Sequence, residues 1–274
     1  MKATPTAADN SIVLGSWVGG YRLVEFLGAG GHGEVYLGRG SSPWAAPVAI
    51  KVLRSVTTET RARLRQEASV LTAIDHPHVL RLIDLIDTEF VVALVTAYAA
   101  GGSLADRLSG EPLSCADAIE LALRLSGALD EIHRAGVIHG DLTVNNILFS
   151  SYGHPLLADF GVAGWSGHSW SVAPEVTPWF APPERCRGAA ATAAGDVYGL
   201  AACMVAALGA LSRPRLTVLS AADAVGDLAV GSALARVLSL ALCVDPADRF
   251  PSASTFAAAL AASHVARLGR RSAG

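Results

Sequence analysis

The sequence predicts an α+β protein of two lobes, a small β-rich one with a single helix and a larger, mainly helical one. Three observations carry that expectation. From Tyr21 to Tyr98 the chain falls into short runs rich in β-branched and aromatic residues, interrupted once by a helical stripe. After "AAGGSL" the apolar spacing changes to the helical period and stays there. The chain has 274 residues and 51% of them are apolar, enough to bury such cores without disulfides or metals.

The elements follow in order. Residues 1–20 mix Thr, Pro, Asp, Asn and Gly with no apolar run of signal-peptide length, so a flexible lead is expected rather than a targeting segment. The runs "YRLVEFLGAG", "GEVYLG", "PVAIKVL", "HVLRLIDLID" and "FVVALVTAY" read as strands, with a glycine-rich turn between the first two. Between the third and fourth, "TTETRARLRQEASVLTAI" places Leu64, Glu67, Ala68 and Leu71 on one helical face, so a glutamate is written onto an apolar stripe. A hinge is expected over 97–102. The helix in "LSCADAIELALRLSGALDEIHRAG" should open on Ser114 as its cap and close on Gly136, with later helices over about 193–210, 231–243 and 252–268. Residues 269–274 form a tail. The apolar run Val197 to Leu211 is short for a membrane span and holds two glycines, so it is expected to be a buried helix and no membrane contact is expected.

Composition narrows the function. A formal net charge of -3 lacks the electrostatic footprint of a nucleic-acid binder. Cys115, Cys186, Cys203 and Cys243 stand singly with no CxxC pair, which favours reduced thiols and a cytoplasmic setting over a zinc cluster or a disulfide framework. Of the 21 basic residues only Lys2 and Lys51 are lysines.

Chemistry-bearing residues concentrate in a few stretches. In "LGAGGHGEVYLG", Gly28, Gly30 and Gly33 would let backbone amides approach a polyphosphate, although alone the pattern also fits a glycine-rich hairpin. The next strand, "VAIKV", carries Lys51, whose ammonium needs an anion if the strand is buried and is unremarked if the strand is an exposed edge. In a chain that uses arginine nearly everywhere else, a compact point charge has been kept at this position, and Glu67 is the matching anion. Further on, "HGDLTVNNIL" and "ADFG" supply Asp141, Asn146 and Asp159, two acids and an amide suited to proton acceptance and to a hard cation that takes few protein oxygens. Each alone also fits a turn-forming residue.

Together these residues resemble the eukaryotic-type (Hanks-type) protein kinase family in its bacterial Ser/Thr branch, over about Tyr21 to Leu260. The resemblance implies a protein kinase domain over 21–268, with an N-lobe over 21–97 and a C-lobe over 103–268. It implies ATP as substrate, Mg²⁺ or Mn²⁺ as cofactor, and transfer to Ser/Thr hydroxyls of a protein. By the same resemblance Gly28, Gly30 and Gly33 cover the phosphates, Lys51 holds the α and β phosphates and pairs with Glu67, Asp141 accepts the hydroxyl proton, and Asn146 and Asp159 ligate the metal. Adenine is expected against Leu27, Val35, Ala49 and Leu148, bonded to backbone at Ala97 and Ala99, with Thr96 as gatekeeper. "TPWFAPPE", "DVYGLA" and "DPADRF" extend the match, with Asp196 expected to hold the catalytic-loop backbone and Arg249 to pair with Glu184. Leu71, Leu82, His139 and Phe160 fall where the family stacks its regulatory spine.

The family usually writes His-Arg-Asp with a lysine two places after the aspartate, and here Gly140 and Thr143 stand at those positions. Without the arginine, switching by phosphorylation of Ser166, Ser169 or Ser171 is disfavoured. Without the lysine, a cation that neutralises the transferring phosphoryl group is missing. His32 replaces the aromatic common at the glycine-loop tip. Two alternatives stay open: a nucleotide-binding pseudokinase, and a small-molecule phosphotransferase of the aminoglycoside type, which shares the His-Gly-Asp form. Thr177, placed where a Ser/Thr kinase keeps a threonine beside its catalytic aspartate, favours the protein kinase. The oligomeric state is left open.

Overall fold

The computed structural model describes residues 13–30, 33–53, 55–160, 164–165, 178–209 and 221–271. Residues 1–12 of the expected lead and 272–274 of the tail lie outside them, as do His32, Thr177 and the three serines Ser166, Ser169 and Ser171. The chain divides into two compact units, Met1–Arg65 with Leu82–Tyr98, and Gln66–Arg81 with Ala99–Gly274.

The first unit is built on one antiparallel sheet of β1 (Trp17–Val18), β2 (Tyr21–Gly30), β3 (Gly33–Gly40), β4 (Val48–Val52), β5 (Leu82–Asp87) and β6 (Val92–Ala97), in the order β1-β2-β3-β4-β6-β5. Alternation along β4 decides its two faces: Val48, Ile50 and Val52 are buried while Ala49 and Lys51 are half-buried on the other side. The buried set joins Leu23, Tyr36, Ile86, Ala93 and Val95 in one apolar cluster. Two register shifts in β2, between Leu23 and Glu25 and between Phe26 and Gly28, bend the strand as bulges do. At Gly33 a Cβ would stand 2.3 Å from the carbonyl oxygen of Val52, so only glycine lets β3 start this close to β4.

The structure differs from the expected lead at its end. Val18 is 4% exposed within the apolar cluster and β1 pairs with Tyr21 and Arg22. A two-residue strand is too short to leave a periodic signal, and the tight turn at Gly19 (φ +57) and Gly20 reads in sequence as simple loop. Helix α1 (Thr58–Ala73) runs across the boundary between the units. Its expected stripe is real: Leu64, Glu67, Ala68 and Leu71 are all buried.

The second unit is mainly helical. It holds α2 (Leu104–Leu108), α3 (Cys115–Arg134), α4 (Pro183–Cys186), α5 (Ala193–Ala207), α6 (Ala221–Ala224), α7 (Ser232–Ala241) and α8 (Ala253–Arg271). Two small antiparallel pairs complete it, β7 (Val137–Ile138) with β10 (Gly164–Trp165), and β8 (Ile147–Phe149) with β9 (Pro155–Leu157). Ser114 caps α3 by accepting from the Asp117 amide, and the chain leaves α3 through Gly136 at φ +78, as the sequence indicates. Buried positions on α3 follow the helical period through Ile119, Ala122, Leu125, Leu129 and Ile132. Helix α5 is buried along its whole length from Gly195 to Ala207, and α3 packs against both α5 and α8. The apolar run from Val197 is therefore the central beam of this unit. Among the described residues no helix is long and apolar enough to cross a membrane.

Since Ile50 is fully buried on the core face of β4, Ile50→Ala should cost about 2–5 kcal/mol of stability. The midpoint of urea unfolding checks this, with the slope unchanged.

Candidate active site

The nucleotide-facing residues expected in the first unit share one face of its sheet. Lys51 stands opposite Val35 on β3 and Leu94 on β6, and Ala49 stands opposite Leu37 and Thr96. Val35, Ala49, Lys51 and Thr96 therefore line the side away from the apolar cluster. Thr96 is buried, Leu27 is exposed, and Ala97 ends β6 opposite Val48. Gly28 pairs with Val35 and Gly30 with Gly33 across the β2–β3 turn, whose tip lies outside the described residues. Lys51 belongs to the first unit and the buried Glu67 to the second.

In the second unit the segment after Ala99 is pinned at once. Gly101 donates to the carbonyl of Phe149 (2.8 Å) and Phe149 donates back to Gly102 (2.8 Å). A Cβ on Gly101 would meet the Ser150 carbonyl at 2.6 Å, so the chain passes this close to β8 only as glycine. Ser103 and Asp106 then form a reciprocal cap on α2, and Ser103 bridges to Leu148. Leu148 is thereby fixed on β8, opposite Leu156.

The loop from His139 to Asn146 is held by one buried carboxylate. Asp196, in the first turn of α5 and 2% exposed, accepts from the backbone amides of His139 (2.9 Å) and Gly140 (2.8 Å) and from Nε2 of His133 (2.8 Å). Thr192 caps the same turn by accepting from Gly195. Gly140 has φ +80, the left-handed region that glycine enters without cost. The fully buried His139 ring packs on Phe160 with centroids 4.7 Å apart. It donates from Nε2 to the Ala158 carbonyl (3.2 Å) and accepts at Nδ1 from the Asp141 amide (3.4 Å). The loop and the Ala158–Phe160 segment are thus tied through one imidazole. Of the expected spine residues, His139 and Phe160 are in this contact, and Leu71 is buried in the same unit.

Asp141, Asn146 and Asp159 come together. Asn146 Nδ2 donates to the Asp141 backbone carbonyl (2.9 Å) and to its carboxylate Oδ2 (3.2 Å), which leaves Oδ1 as the amide's oxygen for another partner. The Ala158 amide donates to the Asn146 carbonyl (2.9 Å), setting the two segments side by side. Asp159 has φ +59, the one described non-glycine residue in the left-handed region, and it is exposed between buried Ala158 and Phe160. Such a conformation costs on the order of 1 kcal/mol and is retained where geometry demands it. Burial raises the Asp141 carboxyl above the ordinary carboxylate range and the charge of Asp159 adds to this, opposed by His139, the Asn146 hydrogen bond and Arg185. Among the described residues no cluster of three or more His, Cys, Asp or Glu offers a closed metal cage. An exposed carboxylate and an amide oxygen on segments joined by the Ala158–Asn146 hydrogen bond instead fit a hard cation that keeps water and substrate oxygens in its shell.

Glu184 and Arg249 form an ion pair in this unit, with the guanidinium fully buried. Both guanidinium arms donate to the carboxylate at 2.7 Å, Nε donates to the Cys243 carbonyl, and the arms also reach the Ala194 and Val244 carbonyls. All five N–H donors are used, and the guanidinium lies over the Tyr198 ring of α5. Beside this pair, a solvent-open cleft is lined by Asp141, Phe180, Pro182, Arg185 and Gly195, among others.

Several parts of this arrangement escape sequence reading. His133 on the last turn of α3 takes the third hydrogen bond to Asp196, and a histidine near a helix end gives no sign of its partner. Gly199 lies against the loop so closely that a Cβ there would stand 2.9 Å from that of Leu142. Arg185 shares the cleft with Asp141. The signal available for Arg185 was only its adjacency to Glu184.

A curled antiparallel sheet in one unit and a helical second unit, with an aspartate loop hung from a buried helix, define the architecture of protein kinases. The chain belongs to that family: residues 21–216 match the model described as "Protein kinase domain". Serine/threonine-protein kinase PknJ of Mycobacterium tuberculosis is 31% identical over 281 residues, covering 92% of this chain and 47% of that protein. Serine/threonine-protein kinase pkn2 of Myxococcus xanthus is 32% identical over 284 residues, covering 94% and 34%. A probable serine/threonine-protein kinase PknB of Lactococcus lactis is 31% identical over 188 residues, covering 66% and 30%. The chain spans less than half the length of these relatives.

Truncating one side of the buried ion pair should strand a charge, so Arg249→Ala should lose about 3–5 kcal/mol. Thermal unfolding checks it, and Arg249→Lys should recover only part of the loss, because an ammonium lacks the planar fork.

Proposed function

We propose that the chain is an ATP- and Mg²⁺-dependent protein kinase that phosphorylates Ser/Thr hydroxyls of a protein, with an atypical loop lacking the usual arginine and lysine. The observation that carries this reading is the grouping of Asp141, Asn146 and Asp159 through the Asn146–Asp141 and Ala158–Asn146 hydrogen bonds. Asp141 acts as the proton acceptor, and its burial suits a base that must hold a substrate proton. Asn146 and Asp159 are the residues that would hold Mg²⁺, which supplies charge neutralisation on the phosphates. Lys51 is assigned the α and β phosphates with Glu67 as its partner. Gly28, Gly30 and Gly33 cover the phosphates. Leu27, Val35, Ala49 and Leu148 take the adenine, and Ala97 and Ala99 its polar edge. In the transfer the acceptor oxygen bonds the γ-phosphorus, the bond to the β–γ bridging oxygen breaks, the hydroxyl proton passes to Asp141, and ADP leaves with the electron pair.

The division of labour extends the sequence reading of an N-lobe, a hinge at 97–102 and a C-lobe. A cytoplasmic setting fits four cysteines that form no disulfides among themselves. One observation favours a second reading, the nucleotide-binding pseudokinase: the loop from His139 to Leu148 carries neither lysine nor arginine. Against a small-molecule phosphotransferase stand the Asp196 anchor and the Glu184–Arg249 pair, features of protein kinases by resemblance.

Incubation with labelled ATP, Mg²⁺ and a generic protein acceptor should give label transfer that disappears in Asp141→Asn and on chelation of the metal. Binding without transfer would favour the pseudokinase, and turnover only with small aminoalcohols the phosphotransferase. Lys51→Met should abolish the ATP-dependent rise in Tm while leaving the ligand-free Tm in place, which a thermal shift titration reads directly.

A further inference from the structure

We propose that Arg185 supplies the positive charge beside Asp141 that the catalytic loop itself lacks. The inference rests on the kinase reading above and concerns how the transfer site is completed. Three observations place it. The solvent-open cleft at Asp141 is lined by a single Lys or Arg among the described residues, and that residue is Arg185 of α4. Its guanidinium is half-spent: one arm donates to the Ala189 carbonyl (2.9 Å), while the Nε–H is buried with no hydrogen-bond partner among the described residues. A buried charged donor left unmade is costly, so a guanidinium retained in this state calls for a functional reason. Thr143, two residues after Asp141, is 2% exposed and uncharged, so the loop offers no cation of its own there.

The placement of Arg185 is also firm. Its neighbour Glu184 is locked into Arg249 by two bonds of 2.7 Å, which fixes the backbone from which Arg185 reaches the cleft. A guanidinium held this way suits an anionic group because its planar donors are already oriented. The anion is the γ-phosphoryl group as it passes to the substrate hydroxyl, next to the carboxylate that takes the hydroxyl proton. Arg185 is thus a supporting cation in the cleft.

The test is steady-state kinetics of the full chain with Arg185→Gln, which keeps a donor for the Ala189 carbonyl, and Arg185→Lys, which keeps the charge. Arg185→Gln should lower kcat roughly 10- to 100-fold with the KM for ATP within about twofold, and Arg185→Lys should retain at least about a third of kcat. Arg185→Gln within about twofold of wild type, or Gln and Lys variants losing kcat alike together with Tm, would overturn the assignment and leave a purely structural role. Transfer by wild type that is absent in Asp141→Asn establishes the kinase reading independently. A wild type with no transfer at all would overturn both.

Discussion

The second unit depends on one carboxylate. Asp196 is buried, and a buried charge is tolerable only when each of its oxygens finds donors. Here the donors are two consecutive backbone amides, those of His139 and Gly140, plus the ring of His133. Consecutive amides converge on one acceptor only if the chain turns sharply between them, and the positive φ of Gly140 provides that turn. The solvation demand of an acid on α5 thus dictates the path of the loop that carries Asp141. Side chains further along inherit the consequence: Asn146 folds back on Asp141, and His139 reaches across to Ala158 and Phe160.

Helix α5 serves twice. Its first turn carries Asp196, and two residues later Tyr198 lies under the Arg249 guanidinium that holds Glu184. These two polar assemblies are therefore mounted on one apolar helix that is buried along its length. Such pairs are weak sources of net stability, since desolvation consumes most of the Coulombic gain. Their value is geometric. Each fixes a backbone position that apolar packing alone would leave free to repack.

Much of this was legible in the sequence because it depends on patterns with short range. Alternation in "VAIKV" puts Lys51 and Ala49 on one face, and the helical stripe around Glu67 is legible from its spacing. Ser114 and Gly136 marked the ends of α3 by the chemistry of capping. The Asp196 and Arg249 contacts were legible only through resemblance, since residues 56 and 65 positions apart in a chain have no local signature of meeting. What escaped altogether shares a cause. Trp17–Val18 is too short to show a period, and His133 and Arg185 act through partners brought near by packing of α3, α4 and α5.

Gly199 brings out a different kind of constraint. Its missing side chain lets α5 approach Leu142 until a methyl group would be separated from the neighbouring Cβ by 2.9 Å. That helix position is defined by clearance rather than by any bond it makes. The height of the Asp141 loop above α5 is consequently gauged by a gap too narrow for a methyl group, and the smallest possible enlargement at that point is transmitted directly to the loop. A residue with no chemistry of its own thereby sets the tolerance to which the chemistry is built.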